Sequence, residues 1–278
     1  MINFTANFFQ LDLLKISEIK LHETTETYRL RNIYQRIATS KFLMNPVIVG
    51  KYKDDYILLD GANRLASLKE IGCKLILAQI IDYLDPKIKL RKWNHLVYNF
   101  DFNKILKYLV DNKFKHQYIS YREGEKKLKE GFHYVMVTDI GTNESIIIKL
   151  AKNLFQMVRE INLLTRSYFN KYPFDRSEEE IKFYDLVKYS RKKGILFEFP
   201  SFTKEQVLKV AKDSAKIPAG ITRHILNNRV LHIRYEISML KSDDNLTKKR
   251  EALNEYLNSK IDNNKVRQYR ESVIIFDE

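Results

Sequence analysis

Apolar residues recur along this chain in two rhythms, one near 3.6 and one near two. Leu30, Ile33, Tyr34 and Ile37 share a helical face and predict a helix over Thr27–Thr39. Val47-Ile48-Val49 after Pro46 is a β-branched strand, and Tyr56–Leu59 returns as its partner beyond an Asp54-Asp55 turn. A helix over Arg64–Ile71 stops at Gly72, and Leu75–Ile81 is a further apolar strand. Ile16–Leu21 reads as a short strand, and Asp85-Pro86 closes this first unit.

Residues 87–195 read as mainly helical, with three-four spacing over Phe102–Val110 and Leu150–Thr165. A hairpin of Tyr134–Thr138 and Ser145–Ile148 around Gly141-Thr142-Asn143 interrupts them. Ile195–Phe199 is a predicted strand. Thr203 and Gln206 form a capping box at the start of helix Lys204–Lys212. Leu246–Ser259 reads as a surface helix, followed by an apolar Val273-Ile274-Ile275-Phe276 tail. The order of elements predicts an α+β fold in three parts: a core over 1–86, a mainly helical lobe over 87–240, and a C-terminal helix and tail over 241–278.

Composition narrows the class. Of 278 residues, 44% are hydrophobic, enough for a sizeable core. No apolar run approaches the roughly 18 residues of a membrane span, and Met1-Ile2-Asn3-Phe4-Thr5 lacks the basic and apolar regions of a secretory signal. Cys73 is alone, which excludes an internal disulfide and fits a cytoplasmic protein. The net charge of +14 is spread along the chain without an arginine-rich arm. That pattern favours a solvated basic surface plus a phosphate site over a DNA footprint. His95, His116, His133 and His232 show no metal-ligand spacing, and no zinc site is expected.

Chemistry concentrates at Tyr56-Ile57-Leu58-Leu59-Asp60-Gly61-Ala62-Asn63-Arg64. A buried strand runs through a glycine turn into a helix, whose unpaired first N–H groups and dipole suit an anion. Asp60 stands where a metal is held or a hydroxyl oriented. Arg64 suits a two-pronged phosphate contact. Taken singly, the other candidates are unremarkable. Glu23 and His22 read as a solvated carboxylate and a structural histidine, Trp93 as an anchor, and Thr222 as a helix cap.

In combination these pieces resemble the free L-serine kinases within the ParB/sulfiredoxin-like superfamily. The resemblance rests on Leu21-His22-Glu23, the Asn45–Val49 strand, Asp60-Gly61-x-x-Arg64, Trp93, and Pro218-Ala219-Gly220-Ile221-Thr222-Arg223-His224, in family order over about the first 235 residues. The C-terminal remainder is more similar to the bacterial ATP-dependent branch of siderophore biosynthesis.

The resemblance implies a nucleotide-binding core in 1–86, a substrate site completed by 87–240, and transfer of the γ-phosphate of ATP to serine. ADP is the alternative donor, and Mg²⁺ the cofactor. It implies Glu23 as base and Asp60 as Mg²⁺ ligand or hydroxyl orienter. Gly61, Ala62, Asn63 and Arg64 would cradle the nucleotide phosphates; Ser40, Trp93, Thr222, Arg223 and His224 would bind the substrate. One position departs from the family: Asn63 stands where these kinases usually carry histidine. Asparagine donates to a phosphate oxygen but neither carries charge nor shuttles a proton. The alternative function is a ParB-like DNA-binding regulator, with DNA as a secondary partner of the kinase an intermediate case. Homodimerisation stays open.

Overall fold

The computed structural model describes residues 5–131, 133–178 and 194–269. Strands β1 (Leu11–Lys15) and β2 (Ile19–Leu21) lead into helix α1 (Thr27–Thr39). Strands β3 (Phe42–Leu43), β4 (Val47–Tyr52) and β5 (Asp55–Asp60) precede α2 (Ala62–Glu70), and β6 (Leu75–Asp82) follows. Five of these strands form one sheet in the order β1-β6-β4-β5-β2. The expected β4–β5 hairpin is present, with a register irregularity at Ile48/Val49. β2 joins β5, and β4 joins β6, in parallel.

The second half is not mainly helical. It is built on β7 (Lys89–Tyr98), α3 (Phe102–Asp111), β8 (Lys115–Tyr118), α4 (Tyr121–Glu130), β9 (Tyr134–Asp139), β10 (Ser145–Lys149) and α5 (Leu154–Thr165). There follow β11 (Phe174–Glu178), β12 (Gly194–Glu198), α6 (Lys204–Lys212), β13 (Thr222–Ile225), β14 (Tyr235–Glu236) and α7 (Leu246–Asp262). Seven strands make a sheet in the order β11-β7-β12-β9-β10-β8, with β13 added to β7. The fold is therefore mixed α/β in both halves.

The helical expectation failed at β7 because the strand is buried on both faces and carries polar residues on each. Lys92, Asn94 and His95 are all buried, so the alternation that signals a strand is absent. Elsewhere local chemistry gives the expected result. Thr203 and Gln206 close the capping box of α6, and the β9–β10 hairpin pairs Thr138 with Ser145.

Period-two alternation in the first sheet serves two cores. Ile48, Ile57, Leu59 and Ile81 point into a cluster with Val97, Val135 and Phe197 of the second sheet. Val47, Val49 and Leu58 face the other way, against Leu65 and Leu68 of α2 and Leu253 and Leu257 of α7. The C-terminal helix thus covers the outer face of the first sheet. Arg250 on it donates to Asp12 at 2.7 Å and to the Leu13 carbonyl at 3.0 Å. The apolar stretch 273–276 lies outside the described residues. Among those described, no helix is long and apolar enough to cross a membrane.

Candidate active site

A cleft of about 340 Å³ opens between the two sheets. One wall is the β5–α2 turn. Gly61 adopts φ 98°, a left-handed conformation that favours glycine, and a Cβ there would lie 2.7 Å from Val47 Cγ1. The turn aims the start of α2 at the cleft, and Asp60, Gly61, Ala62, Asn63 and Arg64 all line it. Arg64 is braced by the Pro46 carbonyl at 2.9 Å and by Asp60 Oδ2 at 2.8 Å. Asp60 Oδ2 also takes Arg229 Nη1 at 3.3 Å. The buried Asn63 Oδ1 has no hydrogen-bond partner among protein atoms, so the wall presents an unused acceptor.

The facing wall is stitched from two distant segments. Residues following β2 meet 217–222 through Ile217 N to His22 O at 2.9 Å and Thr24 N to Ile217 O at 2.8 Å. This places Glu23 under three donors. Its Oε1 accepts from Thr222 N at 2.7 Å and Thr222 Oγ1 at 2.6 Å; its Oε2 accepts from Gly220 N at 3.1 Å. A carboxylate offers about four lone-pair sites, so roughly one is left for a substrate proton. Glu23 is not the solvated turn residue that its sequence context alone suggests.

Three buried histidines support this wall, each kept neutral mainly by burial. His95 is pushed down to about 3; its Nδ1 meets Tyr168 Oη at 2.7 Å and its Nε2 donates to the Gly220 carbonyl at 2.8 Å. His22 is also lowered by burial, and its ring nitrogens meet Leu58 O and Thr222 Oγ1, each at 2.8 Å. His224 is lowered well below its ordinary range and rests on Tyr83 Oη at 3.1 Å.

The cleft brings together eight of the expected residues: Glu23, Asp60, Gly61, Ala62, Asn63, Arg64, Trp93 and Thr222. Three others stand outside its lining. Ser40 caps the end of α1, bonding the Phe42 amide and carbonyl. Arg223 stacks over Trp93 at 4.3 Å, a cation–π contact on the strand β13 rather than at a helix start. His224 is buried behind the wall.

Arg176 and Glu26, which the sequence did not single out, also line the cleft and pair at 2.6 Å. Neither sits in a motif, and Arg176 lies on β11, in a region the sequence pattern reads as mainly helical. Among the described residues, no group of three or more His, Cys, Asp or Glu side chains is placed to hold a metal ion.

No protein-family model matches the chain. Whole-protein comparisons do. The chain is 22% identical over 275 residues to the ATP-dependent L-serine kinase SbnI of Staphylococcus aureus, covering 96% of this chain and 97% of that one. It is 27% identical over 218 residues to an ATP-dependent L-serine kinase of Staphylothermus marinus, covering 77% and 84%. Its relatives are the free L-serine kinases. A solved free serine kinase in complex with AMP superposes with a TM-score of 0.68 at 19% identity, covering 83% of this chain and 93% of that one. The likeness in fold therefore extends across both sheets.

Proposed function

We propose that this protein transfers the γ-phosphate of ATP to the hydroxyl of free L-serine, giving O-phospho-L-serine for siderophore, diaminopropionate or cysteine synthesis. The observation that carries the reading is the placement of Glu23. An anchored carboxylate with an open lone pair faces a helix start and Arg64 across one cleft, in a chain related to serine kinases along its length. Phosphoryl transfer needs little beyond a base, in-line positioning and charge neutralisation.

In this reading residues 1–86 form a ParB/sulfiredoxin-like nucleotide-binding core, and 87–240 complete the substrate site. The α2 amides of Gly61, Ala62 and Asn63 take phosphate oxygens, with Arg64 and Arg229 adding positive charge. Trp93 and Thr222 face the amino acid. His224 backs the wall, Arg223 holds Trp93 by stacking on it, and Ser40, which caps α1, has no contact with the lining, among the described residues, that assigns it a part. Mg²⁺ fits Asp60, since this cation is commonly held by one or two carboxylates together with substrate phosphates and water. Asp60 Oδ2 is engaged by two arginines, which leaves Oδ1 for the ion. When bound, Mg²⁺ neutralises charge on the phosphates. The DNA-binding alternative draws no support from relatives named as kinases.

The test is incubation with L-serine, Mg²⁺ and either ATP or ADP, followed by ³¹P NMR. Phosphoserine is expected with ATP. Glu23→Gln is expected to lose activity by about 10²–10⁴-fold, the usual worth of a general base. A folded wild type that makes no phosphoserine with either nucleotide would overturn the proposal.

A further inference from the structure

The hydrogen bonds behind Glu23 do not balance with ordinary protonation states. A chain runs from Leu58 O to His22 Nδ1, from His22 Nε2 to Thr222 Oγ1, and from Thr222 Oγ1 to Glu23 Oε1, at 2.8, 2.8 and 2.6 Å. Each of these three links needs one hydrogen. The Leu58 carbonyl has only lone pairs, so Nδ1 must donate to it. A neutral His22 then has none left on Nε2, and the single Thr222 hydroxyl hydrogen faces two acceptors, Nε2 and the carboxylate. With Glu23 ionised the chain is one hydrogen short. Adding one proton to the carboxyl completes it.

Resting on the kinase reading above, we propose that Glu23, Thr222 and His22 act as one proton acceptor, with His22 a positioning residue that sets the proton affinity of Glu23 through the Thr222 hydroxyl. As the serine oxygen attacks phosphorus, its O–H bond breaks and that electron pair becomes the new O–P bond. The bond between the γ-phosphorus and the bridging oxygen breaks, and ADP leaves with its electron pair. The proton adds to Glu23 Oε2. A half-turn of the carboxyl, whose terminal torsion is two-fold, brings the protonated oxygen to Thr222. It donates to Oγ1 and still accepts the Thr222 amide. Thr222 in turn donates to His22 Nε2, and every partner is satisfied.

The surroundings of His22 suit this role. The ring is 3% exposed, and burial favours the neutral form that leaves Nε2 as an acceptor. The titratable groups that face it are Glu23, Lys216 and His224, whose ring lies edge-on at 5.4 Å. His224 is itself held neutral by burial and bonded to Tyr83. No other acidic group competes for the proton among those that act on His22.

His22→Asn and Thr222→Val test the proposal, because asparagine retains a donor for Leu58 and valine retains the backbone amide that holds Glu23. Each is expected to lower kcat about tenfold, and His22→Asn, which does not face the amino acid, to do so with KM for serine unchanged. His22→Asn should also displace the acid limb of the pH–kcat profile, which a merely structural change would leave in place. The double variant should be no worse than either single one, and Thr222→Ser should restore wild-type behaviour. Unchanged kcat and acid limb in folded variants would overturn the proposal, as would additive losses.

Imidazole ¹⁵N NMR reads the same chain without turnover. The Nδ1–H tautomer is expected for His22, with an Nε2 signal displaced by Thr222→Val. An Nε2–H tautomer, or a signal indifferent to that change, refutes the chain. Failure of the wild type to make phosphoserine would instead refute the kinase reading and leave the NMR to decide this one.

Discussion

Gly220→Ala isolates the link between backbone geometry and the placement of the base. Gly220 sits at φ 73°, donates its amide to Glu23 Oε2 at 3.1 Å and accepts from His95 at 2.8 Å. A Cβ built there would run into Arg176, lying 2.6 Å from Cζ and closer still to Nε. The left-handed backbone costs a non-glycine residue about 1–2 kcal/mol. Moving the guanidinium breaks the Arg176–Glu26 pair, whose side chains are only 20% and 16% exposed, and forfeits about 1.5–3 kcal/mol more.

The loss of stability should therefore be about 2.5–5 kcal/mol in total, read from urea unfolding followed by circular dichroism. Displacement of the Gly220 amide should also cost about 10²-fold in single-turnover phosphoserine formation. The steric part is separable. In an Arg176→Ala background the same glycine change should cost only the about 1–2 kcal/mol of backbone strain. A loss below about 1 kcal/mol in the wild-type background, with turnover intact, would refute the reasoning.

Other outcomes follow from the same geometry. His95 has its folded pKa pushed down to about 3 from an unfolded value near 6.5. Its contribution to stability is complete above pH 6.5 and falls by about 1.4 kcal/mol per unit as the pH drops toward 3, a slope that His95→Gln should flatten in urea midpoints measured against pH. Leu253→Ala, at a fully buried position of α7, should cost about 2–5 kcal/mol by thermal or chemical unfolding and leave KM unchanged in protein that remains folded. Arg229→Ala removes a half-exposed partner of Asp60; it should raise KM for ATP several-fold while shifting stability by less than about 1 kcal/mol.

The sequence was informative wherever a local rule decided the structure. Helix α1 spans the predicted residues because its apolar stripe is set locally, and α6 follows from the Thr203–Gln206 box. The Asp60–Arg64 turn was legible because strand, glycine and helix start are consecutive. What stayed hidden depends on pairing across the chain. Strand β7 carries buried Lys92 and His95, whose partners lie more than 70 residues later, at Phe199, Tyr168 and Gly220. Thr222-Arg223-His224 has a capping threonine by composition, but β7 recruits it as a strand. Arg176 belongs to no motif, and only the fold carries it to Glu26.

The carboxylate proposed as the base is held by amides and a hydroxyl that lie 197 and 199 positions further along the chain. During synthesis Glu23 appears early and its three donors late. The Asp60–Arg64 turn is made early, but its sheet still awaits β6 and its outer face awaits α7. Closing so long a loop carries a large entropic cost and comes late in folding. A growing chain therefore has neither wall of the cleft in its final form until its later segments are made. The cleft closes only when the segment around Thr222 has docked, so an intact cleft reports that two ends of a long chain have met.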